Sequence, residues 1–150
     1  MIKKIFILFA FLVTSCGYQP IYINNNLENL IFNKIDLKGD DQINRKIINS
    51  VSLKENPLNE ELNKLTLSSN FNIFETSKNS KGQTETYRSI INIEIKITKN
   101  NEIKKKKIFS NETSYNTKDN KFELTQYQSK IKNNLINKTI EDIILFLNIK

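Results

Sequence analysis

The clearest pattern in the chain is an alternation of apolar and polar residues that begins near position 87 and is strict from 91 to 98. Every second position from 91 to 97 is an isoleucine, and the positions between them hold Asn, Glu and Lys. Because successive side chains of a strand point to opposite faces, this segment is predicted to be a strand with one face in a core and the other in water. Residues 65–73 alternate in the same way, and a further strand is predicted at 104–115. Short polar turns join these three strands, which favours an antiparallel meander.

A strand and a helix are predicted ahead of this meander. Residues 30–37 show the imperfect alternation of a first strand. Asp40 and Asp41 follow a glycine and suit the start of a helix, because aspartate side chains accept hydrogen bonds from the amides of its first turn. The next apolar residues recur at helical spacing and predict about four turns: Ile43, Ile47, Ile48 and Val51. Pro57 forbids continuation of this helix.

The last segment is predicted to be one long helix. Asn120 is followed three residues later by Glu123, which resembles a capping box, and neither Pro nor Gly occurs from there to Lys150. Its apolar residues form two stripes about 150° apart: Leu124, Tyr127, Ile131 and Leu135 in the first, and Ile136, Ile140, Ile143 and Leu147 in the second. We expect the domain to use both stripes internally; the alternative is that one stripe faces a second helix or a partner protein.

The predicted order of elements is therefore β-α-β-β-β-α. A sheet with one apolar face must bury that face against another layer. The fold class predicted from the sequence is α+β: a two-layer sandwich of a four-stranded, mostly antiparallel sheet with two helices on one face.

The N-terminus has the pattern of an export signal. Lys3 and Lys4 precede the apolar residues 5–13, a run too short to cross a bilayer as a helix, which takes about 20 residues. Val13-Thr14-Ser15-Cys16 resembles the lipobox of bacterial lipoproteins. The resemblance implies that the nucleophilic thiolate of Cys16 takes a diacylglycerol, that the chain is cut before Cys16, and that the new amino group is acylated. The product is an N-palmitoyl, S-diacylglycerol cysteine. The alternatives are an ordinary signal peptide with an incidental cysteine, or a short buried helix.

This interpretation divides the chain into three parts. Residues 1–15 are predicted to be a lipoprotein signal peptide, 16–29 a lipidated tether, and 30–150 a single α+β domain. With one cysteine the mature chain cannot form an internal disulfide, so its stability must come from a packed core. Several acyl chains would fix the domain firmly to a membrane surface.

The charge of the mature chain narrows the choice of partner. Without Lys3 and Lys4, 21 Lys and Arg residues stand against 16 Asp and Glu residues, a formal excess of +5. A basic surface favours an anionic partner. For an exported, lipid-anchored protein we expect lipid phosphate rather than nucleic acid.

Four consecutive lysines begin the predicted fourth strand: Lys104, Lys105, Lys106 and Lys107. Strict alternation would direct two of these side chains to each face of the sheet, and ammonium groups buried without partners are prohibitively costly. We therefore expect residues 99–107 to project beyond the core into water, where the lysines are candidate contacts for lipid phosphates. The alternative is that they only keep the chain soluble and protect a sheet edge.

The residue types argue against catalysis. The chain has no histidine, its one cysteine is assigned to lipidation, and its three glycines form no phosphate-binding loop. The three pairs of adjacent carboxylates fall where helix caps, loops or solvated faces would place them. We expect no enzyme activity, no cofactor and no metal site.

A family resemblance begins at the cysteine. The residues Cys16-Gly17-Tyr18-Gln19-Pro20-Ile21-Tyr22 resemble the start of the mature chain in the LPS-assembly lipoprotein family (LptE, older name RlpB), especially in its alphaproteobacterial members. The predicted element order is also that of the family. In lipoproteins of this kind, a glycine after the cysteine favours the outer membrane over the inner one.

The resemblance implies a lipoprotein anchored to the periplasmic side of the outer membrane in a Gram-negative envelope. It would plug the LPS translocon, a large β-barrel of the LptD type, support the assembly of that barrel and help insert LPS into the outer leaflet. Under this hypothesis Lys104, Lys105, Lys106 and Lys107 are candidate LPS-phosphate contacts. The alternative function is an envelope accessory lipoprotein that binds peptidoglycan or another transport complex.

The anchor can be tested directly. Mass spectrometry of the chain purified from membranes should find that the mature N-terminus is Cys16 and that it carries acyl groups. Cys16→Ser should leave an unacylated precursor with residues 1–15 still attached. An unmodified Cys16 in a cytosolic, uncleaved wild-type chain would contradict the lipoprotein interpretation.

Overall fold

The computed structural model describes residues 30–148. The predicted signal peptide, the tether and Cys16 lie outside this range, as do the last two residues of the predicted domain. The described residues form six strands and two helices in the following order: β1 (Ile31–Phe32), β2 (Lys34–Gly39), α1 (Asp41–Val51), β3 (Lys54–Glu55), β4 (Lys64–Lys78), β5 (Thr84–Lys99), β6 (Glu102–Asn116) and α2 (Lys121–Asn148). The predicted α+β class is confirmed.

The main sheet is mixed and has the strand order β2-β4-β5-β6. Strands β4, β5 and β6 form the predicted antiparallel meander. Strand β2 pairs in parallel with β4, and α1 makes the crossover between them. The sheet is thus mostly antiparallel, as predicted, and β2 and β6 are its edges.

A second, two-stranded sheet was not predicted from the sequence. The predicted first strand is interrupted at Asn33, and its first part pairs as β1 with β3. The side chain of Asn33 donates hydrogen bonds to the carbonyls of Pro57 and Asn59, and its backbone amide donates to the carbonyl of Asn63. These contacts come from a loop more than 20 residues away, so local alternation cannot indicate the interruption.

The core lies between one face of the main sheet and the two helices. All the isoleucines of the alternating segment of β5 that face the helices are buried, and they meet Leu65 and Leu67 of β4. Burying each such side chain contributes about 1.5–3 kcal/mol relative to exposure. The opposite face of the sheet carries mainly polar side chains, and no described element covers it.

Helix α1 is shorter than predicted. It has 11 residues, about three turns, and ends at Ser52, which adopts a left-handed conformation with φ 56°. The chain turns there, five residues before Pro57, because Leu53 is buried in the core and Lys54 begins the pairing with β1. The end of the helix is therefore determined by packing rather than by the proline.

The connection from β2 to α1 requires a glycine. Gly39 has φ +86°, and a β-carbon at this position would collide with the carbonyl oxygen of Ser69 on β4. The same carbonyl accepts from the amide of Asp40, while the Ser69 hydroxyl donates to the carbonyl of Asp40. Because glycine has no side chain and tolerates positive φ, the helix can begin directly against the neighbouring strand.

Helix α2 packs against β5, β6 and α1. The oxygen of the Asn120 side chain accepts a hydrogen bond from the amide of Phe122 at 2.8 Å, so Asn120 caps the helix as predicted. The bond goes to the second residue of the helix, whereas the predicted capping box would use the third, Glu123. Both apolar stripes contribute buried residues: Ile131 and Leu135 from the first, and Ile136, Ile140 and Ile143 from the second. The prediction that the domain uses both stripes internally is confirmed, since the helix contacts neighbours on two sides.

Asp40 joins the two helices. One carboxylate oxygen accepts from the amides of Gln42 and Ile43 at the start of α1, and the other lies 2.9 Å from the Nζ atom of Lys132 on α2. The hydrogen bond from Lys132 lowers the pKa of the Asp40 carboxyl, against partial burial, which raises it; the two amides lower it further. The lysine also lies 5.4 Å from the centre of the Phe71 ring on β4.

This arrangement predicts a specific pH dependence. Asp40→Ala should lower the free energy of unfolding by about 1–2 kcal/mol, because it removes both the cap and the ion pair. Asp40→Asn retains a capping oxygen and should lower the free energy of unfolding by less. Because the pKa of Asp40 is lower in the folded state, the ion pair stabilises the fold above the ordinary pKa of 3.8 and loses its effect as pH falls through the folded value.

Chemical denaturation of the two variants and the wild type at neutral pH and near pH 3 measures this difference. The exposed neighbour Asp41 serves as the control, and Asp41→Asn should change stability by no more than about 0.5 kcal/mol. Equal losses for Asp40→Ala and Asp41→Asn would contradict the assigned role of Asp40.

Candidate functional site: the lysine-rich end of the sheet

The four consecutive lysines lie on the edge strand β6, next to the β5–β6 turn, and all four are exposed. Lys105 pairs with Ile97 and Lys107 with Ile95, which places both on the helix side of the sheet. Lys106 lies on the opposite, open face. Lys104 is the extra residue of a β-bulge, so the strict alternation assumed from the sequence does not hold there.

Aromatic rings surround the two lysines on the helix side. The Nζ atom of Lys107 lies 5.0 Å from the centre of the Phe109 ring and 5.4 Å from that of Phe146 on α2. The Nζ atom of Lys105 lies 5.8 Å from the centre of the Phe146 ring. A cation near the face of an aromatic ring is stabilised by about 0.5–1 kcal/mol at exposed sites. The apolar stems of these lysines can thus cover the rings while the ammonium groups stay in water.

The other two lysines have carboxylate partners. Lys104 lies 2.8 Å from Glu102, and Lys106 lies 3.0 Å from Glu94. Both pairs are substantially solvent-exposed, and such pairs typically contribute only about 0–1 kcal/mol. An incoming phosphate group can therefore replace either carboxylate at little cost.

The structure brings further lysines to the same end of the sheet, on its open face. Lys96 pairs directly with Lys106, and Lys34 pairs with Lys64 across the two parallel strands. Like charges placed opposite each other weaken a sheet. Lys34, Lys64 and Lys96 were not predicted as part of the site, because they are scattered over three strands. A register derived from the alternation of the strands would have brought Lys96 and Lys106 together.

A cleft of about 360 Å³ opens at this end of the domain. It is bordered by the β5–β6 turn, the 56–63 loop and the start of β2, with Asn33, Lys64 and Lys99 among its lining residues. The turn itself contains Asn100 and Asn101, both with positive φ, as a tight hairpin turn requires. The lining is largely polar and contains two lysines and one carboxylate, that of Glu60, so the cleft has a formal excess of one positive charge.

The described residues 30–148 contain no cluster of acidic, histidine or cysteine side chains that is suited to hold a metal ion. Within the same range, neither helix combines the length and the apolar character needed to cross a membrane. The exposed lysines at this end of the sheet can attract anions and donate hydrogen bonds to them.

The elements above define a class of fold: a mixed four-stranded sheet covered on one side by two helices. Bacterial lipoproteins of known structure share it. Rare lipoprotein B of Shewanella oneidensis matches with a TM-score of 0.58 at 11% identity, over 76% of this chain and 92% of that chain. The minor lipoprotein of Acinetobacter baumannii matches with a TM-score of 0.54 at 14% identity, over 77% of this chain and 90% of that chain. Lipoprotein B of Nitrosomonas europaea matches with a TM-score of 0.58 at 8% identity, over 84% of this chain and 88% of that chain.

These comparisons establish the fold. The architecture expected from the resemblance to the RlpB family is confirmed, because the likeness covers most of each chain. No protein-family model matches the sequence, and no curated protein matches it. Cys16 lies outside the described residues, so its lipidation stays a prediction.

Proposed function

We propose that this chain is an outer-membrane lipoprotein that plugs and supports the assembly of the LPS translocon, a β-barrel of the LptD type, and helps insert LPS into the outer leaflet. The observation that carries the proposal is the shared fold with rare lipoprotein B over 92% of that chain. The lipobox and the residues that follow Cys16 support it independently.

The domain suits a role as a scaffold. Its helices and sheet enclose one continuous apolar core, and the ion pair between Asp40 and Lys132 joins α1 to α2. The open face of the sheet offers a broad, largely polar surface that a barrel wall can contact through hydrogen bonds. A rigid body of this kind keeps a larger partner in its assembled state without any chemical step.

The lysines of β6 supply the contact with LPS. Lys is a point-charge binder of phosphate, and Lys105 and Lys107 present their ammonium groups beside the Phe146 ring. Phosphates attached to an apolar lipid can use both features, the charge and the aromatic surface. The exchangeable pairs of Lys104 and Lys106 add two more donors on the same strand.

Purification from native membranes in mild detergent tests the scaffold role. We expect a large β-barrel to co-purify with the chain in an approximately equimolar ratio. The unacylated Cys16→Ser precursor is the control and should recover less of it. A clean monomer, or retention on cell-wall sacculi instead of a barrel, would contradict the proposal and favour an accessory role at the cell wall.

Replacement of Lys104, Lys105, Lys106 and Lys107 together by glutamine tests the LPS contact. Binding of LPS should weaken by about fivefold for each lysine that contacts phosphate, at about 1 kcal/mol each, and should become less sensitive to salt.

The matched control removes the same charge at the other end of the sheet, with glutamine at Lys78, Lys81, Lys118 and Lys121. It should bind LPS like the wild type. Equal binding by the wild type and both variants would leave the β6 lysines with a solubilising role only.

A further inference from the structure

We infer that the end of the sheet nearest the tether is a membrane-docking surface that rests on a bilayer containing anionic phospholipid headgroups. This anchor-end surface comprises Leu58, Lys64, Lys99 and Ile103. The inference rests on the proposed lipid anchor, but it requires neither a barrel nor LPS.

The described chain begins at this end of the domain. The carbonyl of Leu30 accepts from the amide of Lys54, and the side chain of Asn33 donates to the carbonyls on either side of Leu58. Asn33 also lines the cleft together with Lys99 of the β5–β6 turn. The tether therefore leaves the domain beside the anchor-end surface.

Two large apolar side chains project from this surface. Leu58 is 95% exposed, and Ile103 is 60% exposed. Ile103 pairs with Thr98, which pairs in turn with Lys64, so an apolar tip and a lysine share one row across the sheet. Exposed apolar tips beside lysines match the interface of a bilayer, where apolar groups enter the acyl boundary and ammonium groups meet phosphate.

The charge is distributed unevenly between the two ends of the sheet. Residues 30–37, 53–64 and 94–107 hold nine lysines against six carboxylates, a formal excess of +3. The opposite end, residues 75–88 and 112–123, holds five cations against five carboxylates and has no net charge. An anionic leaflet attracts clustered basic residues within about one Debye length. The domain should therefore turn its anchor end toward such a leaflet.

The tether alone cannot impose this orientation. Cys16 precedes Leu30 by 14 residues, and an extended chain of that length reaches at most about 50 Å. A connection of that reach does not determine which surface of the domain faces the membrane. Contact of Leu58 and Ile103 with lipid, together with the lysines, selects one orientation. A protein partner is the other possible occupant, but the anchor would keep the domain within about 50 Å of a bilayer at all times, and the lysines of this surface complement the charge of anionic headgroups.

The absence of tryptophan from the chain allows a direct test. Leu58→Trp puts a single indole on the anchor-end surface, and Phe122→Trp puts one on a 67% exposed site at the opposite end. The lipidated chain is reconstituted into vesicles of phosphatidylethanolamine and phosphatidylglycerol without other protein. The emission of Leu58→Trp should shift to the blue and be quenched by brominated acyl chains, and that of Phe122→Trp should not.

Charge removal provides the second measurement. Lys64→Gln with Lys99→Gln should lower the ratio of docked to undocked chain about 25-fold at low salt, fivefold for each lysine at about 1 kcal/mol each. The matched control is Lys81→Gln with Lys121→Gln, at the end of the sheet that has no net charge. It should leave the ratio of docked to undocked chain unchanged. Docking should weaken to a similar extent on vesicles in which phosphatidylcholine replaces phosphatidylglycerol.

Equal quenching of the two indoles, or no quenching of Leu58→Trp, would overturn the inference. A blue shift that occurs in native membranes but not on protein-free vesicles would also overturn it, since a protein would then cover the surface. If Cys16 proves unmodified, coupling its thiol to a maleimide lipid supplies the tether. Failure of the proposed anchor is thereby distinguished from failure of the docking surface.

Discussion

The fold depends on a sheet that buries only one of its two faces. Because the polar residues of β4 and β5 alternate with leucine and isoleucine, one side of the sheet requires a cover and the other requires water. Both helices must then lie on the same side. Helix α2 contacts two strands and α1 at once, which explains why a narrow apolar stripe would not suffice and why it carries two.

The elements predicted correctly from the sequence are those whose periodicity is a local property. The meander, the long helix and its cap at Asn120 all belong to this group. Three features were not predicted, because each depends on contacts distant in sequence. Core packing determines the end of α1, loop contacts determine the interruption at Asn33, and strand register determines the bulge at Lys104. Phe146 was missed as a neighbour of Lys107 for the same reason, since 39 residues separate them along the chain.

The distribution of charge is compatible with both proposed roles, a rigid scaffold and the binding of anions. The ion pair of Asp40 and Lys132 is partly shielded from solvent and joins elements of the core, so it belongs to the fold. The pairs of Lys104 and Lys106 are exposed and weak, so they are available for exchange. Among residues 30–148, the exposed lysines of this sheet end combine a clustered positive charge with access to a lipid or a partner.

The parallel pairing of β2 with β4 has a consequence for biogenesis. Strand β2 cannot find its neighbour until the crossover through α1 and the whole of β4 have been made, and such non-local pairings form slowly. The core also needs α2, the final 28-residue element of the described chain. A chain exported as proposed would enter the periplasm from its N-terminus, with its apolar strands uncovered until α2 follows. Periplasmic holdases and proteases would compete for the nascent protein until its C-terminal helix arrives.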